Sequence, residues 1–339
     1  MSRKITLSTI AQHLEISTAT VSLALRDSPL IAELTRQRVK AVAQEMGYIY
    51  NRRAAALRTS KSGIIGVVIH EIMNPFFAEI LIAIEDELRL NTQTFLLCNH
   101  RDQLNIQTNF IHTLMQFGAD GVIISPAIGT TADDISKIEA NHLPVVMIAR
   151  GVNGVKVPTF RGDDKKGIYM ATRHLLRSGH KDIAFIGGRR ETSTGRDRRA
   201  GYLAALEEVQ IPPRTEFQMG SESTRLAGYQ CIKTMFDKGI KPTAVVCFND
   251  LVAIGVMNGL RDMGLEPGKD VSVTGYDDIS EAEISAPALT SVWNGQQEVG
   301  RRAAKAMISI LAGEQPAGET VLIEPQLRIR ESTGLFDTD

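Results

Sequence analysis

The chain has 339 residues, with 38 Lys or Arg against 39 Asp or Glu and 43% apolar residues. That is too long for one ordinary domain and apolar enough for large cores, and no secretory-type leader or run of about 18 apolar residues is present, so a cytoplasmic protein with no membrane contact is expected. The near-zero net charge hides an asymmetry: residues 1–62 hold ten basic and four acidic residues, and the remainder 28 basic and 35 acidic. A basic head on an acidic body is the pattern of a nucleic-acid-binding module joined to a domain of another kind.

In the head, ITLSTIAQHLEISTATVSLAL places Ser8 to cap a short helix with Ile10, Ala11 and Leu14 on one face. Ser17 is placed to cap a second helix that turns Val21, Ala24 and Leu25 inward, with Ile16 in the corner. Two short helices joined by about three residues form a helix-turn-helix whose second helix projects into a major groove, with Thr18, Ala19, Ser22 and Leu23 facing DNA. A third helix is expected over 32–46, with Val39, Val42, Ala43 and Met46 closing the core and Gly47 ending it. A plain three-helix bundle has the same pattern; the basic charge and the position in the chain favour the DNA reader.

The boundaries expected are a DNA-binding domain over 1–50, a linker over 51–62 and a body over 63–335. The linker, NRRAAALRTSKS, carries too few helix formers to hold a helix alone in water. Two readings stand. It is a surface connector, or it becomes a hinge helix when two copies pair on DNA, with Leu57 wedged into a minor-groove step and Arg52, Arg53 and Arg58 on phosphates.

From Gly63 onward, short apolar runs (GIIGVVI, TFLLC, GVIIS, PVVMIA, IAFIG, AVVCF, VSVTGY) alternate with longer helical patterns. Buried strands separated by helices give parallel sheets covered on both faces, and the series is too long for one sheet. The series thins out over 155–162 and begins again, so two Rossmann-like lobes with a crevice at their strand ends are expected. The bounds expected for them are an N-lobe over about 63–162 and 292–322 and a C-lobe over about 163–291 and 323–335. No glycine-rich phosphate loop and no His/Cys/Glu set with metal-ligand spacing occurs, so no cofactor and no metal are expected. Cys98, Cys231 and Cys247 read as free buried thiols.

These motifs carry a family resemblance. The run TLSTIAQHLEISTATVSLAL, TRQRV, GY followed by NRRAAALR, and SGIIGVVI resemble the lactose and galactose repressor (LacI/GalR) family. So do NPFFAEI, LLRSGHKDIAFIGG, GRDRRAGY, CFNDLVAIGVMNGL, VSVTGYDDI, PALTSV and RIREST in the body. The resemblance implies a helix-turn-helix head on a body like the type I periplasmic sugar-binding proteins. It implies a transcription regulator, most often a repressor, working as a homodimer on a palindromic double-stranded operator under a small, carbohydrate-like effector. It puts Thr18, Ala19, Ser22, Leu23, Asn51, Arg52, Ala55, Leu57 and Arg58 at the DNA. It puts Asn74, Phe76, Ser125, Arg150, Thr192, Arg198, Ser223, Asn249 and Asp277 at the effector.

The chain also departs from the family's pattern. Leu23 stands where an arginine is usual, so a guanine-reading fork is missing. Glu15 replaces a turn glycine, Ala32 a serine cap and Tyr50 a proline. In the body, Ser223 stands near the place of a stacking aromatic, and Ala149 replaces the acid of an Asp-Arg pair. An exposed Arg150, with Arg196, tilts the pocket toward an acidic or phosphorylated compound, or forms surface ion pairs. A Rossmann-like enzyme and a transport binding protein are the rival readings. The first lacks a catalytic constellation, and the second has no use for the head.

Overall fold

The computed structural model describes residues 5–49 and 61–336. The chain divides into two compact units, residues 1–62 and 63–339.

In the first unit α1 (Leu7–Leu14) is capped by Thr6, not by Ser8. The extended backbone of Thr6 lets its hydroxyl accept from the Thr9 amide while the Thr9 hydroxyl accepts from the Thr6 amide, each at 3.3 Å. Ser8 is already helical and has no such reach. The helix ends at Glu15 with φ +55°, the left-handed conformation that a glycine adopts without cost. Ser17 caps α2 (Thr18–Ala24), its Oγ accepting from the Thr20 amide at 3.0 Å. Then α3 (Glu33–Glu45) runs to a left-handed Gly47. Ile10, Leu14, Val21, Ala24, Val39 and Ala43 are buried among the three helices, with Ile16, Val42 and Met46 packed at the edge.

The second unit begins with β1 (Ile64–Ile69), α4 (Pro75–Leu90), β2 (Thr94–Asn99), α5 (Leu104–Gln116), β3 (Gly121–Ile124), α6 (Ala132–Ala140), β4 (Val145–Ile148) and β5 (Thr159–Gly162). Next come α7 (Asp164–Arg177), β6 (Ile183–Ile186), α8 (Ser193–Glu208), β7 (Gln218–Met219), α9 (Arg225–Asp237), β8 (Ala244–Cys247), α10 (Asp250–Asp262), β9 (Ser272–Tyr276), α11 (Ser280–Ile284) and β10 (Thr290–Trp293). Finally α12 (Gln296–Leu311), β11 (Thr320–Ile323) and β12 (Gln326–Arg328) complete the body.

Two six-stranded sheets result, ordered β11-β5-β4-β3-β1-β2 and β12-β10-β9-β8-β6-β7. All pairings are parallel except β10 with β12. The central strands are apolar throughout because both faces are covered. Ile65, Val67 and Ile69 of β1 join one core, while Val68 joins the core on the other face. The chain passes between the lobes after Gly162, Trp293 and Ile323. The last two crossings lie one or two residues beyond the expected bounds at about 292 and 323. Thr290–Val292 pair with β9, holding residue 292 in the second lobe, and Ile323 pairs with Gly162 in the first. The stretch over 155–162, where the pattern thins, contains β5.

Candidate effector cleft and DNA-reading face

In each sheet the strand order reverses beside the first strand, between β1 and β3 and between β6 and β8. Loops diverge at such a point and leave a crevice beyond the carboxyl ends of the strands. A cleft of about 290 Å³ lies there, lined from both lobes. Of the expected residues, Asn74, Phe76, Arg150, Thr192, Arg198, Ser223, Asn249 and Asp277 line it. Ser125 does not; it is fully buried behind the wall, its Oγ 3.1 Å from His70 Nδ1. His70 is the lining residue at that place, and burial holds its imidazole well below the usual histidine range.

The polar residues of the cleft are fixed by helix starts. Asn74 and Asn249 cap α4 and α10, their Oδ1 atoms accepting from the amides of Phe76 and Val252 at 3.1 and 3.0 Å. Each therefore presents its amide nitrogen. That of Asn74 donates across the lobes to Asp277 Oδ2 at 3.3 Å, and that of Asn249 has no partner among the described residues. The Thr192 hydroxyl donates to the Arg189 carbonyl and accepts from the Gly195 amide and Thr194 Oγ1, so this residue is wall rather than donor.

Arg198 is the centre of the second lobe's wall. Its Nε donates to Asp164 Oδ1 at 2.7 Å, Nη1 to the Phe248 carbonyl at 2.6 Å and Nη2 to Asp277 Oδ1 at 3.5 Å. The guanidinium carbon lies 3.8 Å from the Tyr276 ring centroid and 4.4 Å from that of Phe248. Burial opposes its charge, but Asp164 and Asp277 hold it firmly protonated. The pairing of Arg198 with Asp277 is thus the weaker of two, and Asp164 is the partner that the sequence did not single out. Asp277 sits at φ +99°, and burial pushes its carboxyl up to about 6 against the pull of Arg198 and Asn74.

Arg150 is not exposed: it retains 8% of its surface and both Nη atoms meet the Asp102 carboxylate, Nη2 at 3.1 Å. The acid missing at position 149 is supplied by Asp102, which follows β2 in a left-handed turn with Arg101. Arg196 lies outside this cleft and donates to the Glu191 carbonyl. With Arg189 bonded to Glu222 at 2.8 Å, three of the four lining arginines carry a carboxylate partner. Arg101 has none among the described residues and is exposed.

On the head, Thr18 and Ala19 are exposed and Leu23 half-buried. Ser22, expected on the DNA face, is turned into the core with 4% of its surface left. Asn51, Arg52, Ala55, Leu57 and Arg58 lie outside the described residues. Among those described, no helix is long and apolar enough to cross a membrane, and no group of three or more His, Cys, Asp or Glu is placed to hold a metal.

Comparison with known proteins gives consistent matches along the chain. Residues 6–51 match the family model for bacterial regulatory proteins of the lacI family, and residues 62–331 match that for periplasmic binding proteins and the sugar binding domain of the LacI family. The HTH-type transcriptional repressor PurR of Yersinia pestis bv. Antiqua (strain Antiqua) is 29% identical over 334 residues, 96% of each chain. A structure of the Lac repressor dimer bound to operator and the anti-inducer ONPF superposes with a TM-score of 0.87 at 25% identity, covering 98% of this chain and 100% of that one. The complex of the transcriptional regulator CelR with cellobiose gives 0.73 at 26% identity, covering 97% and 99%. A head of three short helices before two doubly wound lobes, matched over nearly its whole length, places the chain in the LacI family of bacterial regulatory proteins.

Proposed function

We propose that this protein is a homodimeric, cytoplasmic transcriptional repressor whose affinity for a palindromic operator is set by an uncharged, polyhydroxylated effector in the cleft. The observation that carries the effector class is the charge pairing of its arginines. Arg198 is matched by Asp164 and Asp277, Arg150 by Asp102 and Arg189 by Glu222, leaving amide and carboxylate groups suited to hydroxyls. An acidic or phosphorylated effector calls for an uncompensated buried cation, and the unpaired Arg101 is exposed instead. Asn74, Asn249, Arg198 and Asp277 carry the polar contacts, Phe76 and Ser223 the wall.

The DNA reading draws on the head's geometry and on the relatives, which are transcriptional regulators, one of them solved on its operator. An effector that contacts both lobes favours one lobe arrangement and so biases the paired heads and linkers, because only differential binding shifts such an equilibrium. The test is selection of sites from randomised duplex DNA by the full chain and by a Leu57→Ala variant. A palindromic consensus with a pyrimidine-purine step at its centre, lost in the variant, is the expected result. Absence of enrichment by the unaltered protein at moderate salt would remove the repressor reading.

A further inference from the structure

We infer that α2 reads its half-site through methyl groups in the major groove, so that the bases beneath Ala19 and Leu23 are thymines, and that 5-methylcytosine substitutes for them. This rests on the DNA-binding reading above and deepens it. The helix turns Val21, Ser22 and Ala24 into the head's core. Its outward surface is therefore made by Thr18, Ala19 and part of Leu23. Thr20 is half-buried, and its hydroxyl lies 2.8 Å from Ser17 Oγ within the cap. Of the polar groups on the helix, the Thr18 hydroxyl alone faces outward with no partner among the described residues.

No position from 18 to 24 is Arg, Lys, Asn, Gln, Asp or Glu. Guanine is read by the paired donors of Arg or Lys, adenine by the amide of Asn or Gln, and cytosine by an acid, so this helix holds none of the side chains that make those contacts. The nearest cation, Arg26, lies past the C-cap Leu25, and its Nε donates to the Ser22 carbonyl at 3.0 Å. From there it suits a phosphate, which positions the protein without reading sequence. What remains on α2 is the Thr18 hydroxyl, which can bond to more than one base and discriminates little, and hydrocarbon: the methyl groups of Thr18 and Ala19 and the isobutyl group of Leu23. The apolar feature that distinguishes one base pair from another in the major groove is the C5 methyl of thymine, which cytosine lacks unless methylated.

The experiment uses the full-length protein and the palindrome it selects from random duplexes. Affinities are measured by anisotropy at one salt concentration for duplexes carrying thymine, deoxyuridine, cytosine or 5-methylcytosine at the half-site positions under α2. Removing one methyl by the thymine-to-uracil change is expected to weaken binding about fourfold, and the symmetric pair of changes roughly tenfold or more. Methylating a cytosine at the same position should restore most of that loss. Leu23→Ala should erase the thymine-over-uracil difference at its position, and Leu23→Arg should turn the preference toward guanine. Uracil duplexes that bind as tightly as thymine ones, or half-sites with no thymine under the helix, would overturn methyl reading while the repressor reading stands. Failure to select any duplex would overturn both.

Discussion

Arg198 and Asp277 carry the cleft, and their surroundings give each a distinct test. Arg198 is 5% exposed and is the direct partner of two buried carboxylates. Replacing it by Ala leaves Asp277 buried without its cation and Asp164 with Arg161 alone, which should destabilise the body by about 3–5 kcal/mol in urea unfolding. Arg198→Lys keeps the charge but loses the planar fork and its stacking on Tyr276 and Phe248. It should fold with a smaller loss while effector affinity falls at least tenfold by calorimetry. Asp277 tests the pH dependence. Its folded-state carboxyl is raised to about 6 from 3.8, burial being the main cause, so folding favours the protonated form. The stability this contributes is complete below about pH 4 and is lost as pH rises through about 6. The melting temperature of Asp277→Asn should therefore fall less than that of the unaltered protein between pH 4 and 6. Parallel curves would place the titration elsewhere, Asp250 being the other buried acid raised by burial.

At the scale of elements, two local features invite substitution. The turn between α1 and α2 holds Glu15 in the left-handed region at φ +55°, where a Cβ meets the backbone at a cost of about 1–2 kcal/mol. Glu15→Gly removes that clash but adds freedom to the unfolded chain, so a net gain of up to about 1 kcal/mol in the head's stability is expected by thermal unfolding. The second feature is the crossing of α9 and α10, which pack backbone to backbone through Gly228 and Gly255. A Cβ at Gly255 would stand 1.9 Å from the Arg225 carbonyl oxygen and 2.9 Å from the Tyr229 nitrogen, atoms that cannot swing aside. Gly255→Ala should cost about 1–3 kcal/mol in denaturant unfolding, since the two helices must separate. Because Asn249 caps α10, effector affinity should fall with it.

At the scale of the molecule, the chain's division at residue 62 makes the head and body separable. A protein beginning at Gly63 should keep its fold and effector affinity and lose operator affinity, read by circular dichroism, calorimetry and gel shift. Loss of effector binding with the head would mean the body depends on it. Much of this organisation was legible in the amino-acid order. The three head helices, Ser17 as a cap, Gly47 as a stop and seven of the body's strands follow from spacing within about ten residues, because periodic burial and caps act over one or two turns. Eight of the nine residues that the resemblance put at the effector line the cleft, whereas others there, His70, Asp102 and Asp164 among them, were not legible. What only the tertiary structure decided is how those residues are paired. Asp164 meets Arg198 across 34 positions, Asp102 meets Arg150 across 48 and Asn74 meets Asp277 across 203. A parallel sheet sets neighbours by strand order rather than by chain order, so partners far apart in the chain become the nearest charges in a buried cleft. Packing between elements likewise turned Ser22 into the core of the three-helix head and Ser125 behind the wall. Their surroundings are made by other helices and strands that pack against them, whereas the chemistry each residue brings was set by the sequence alone.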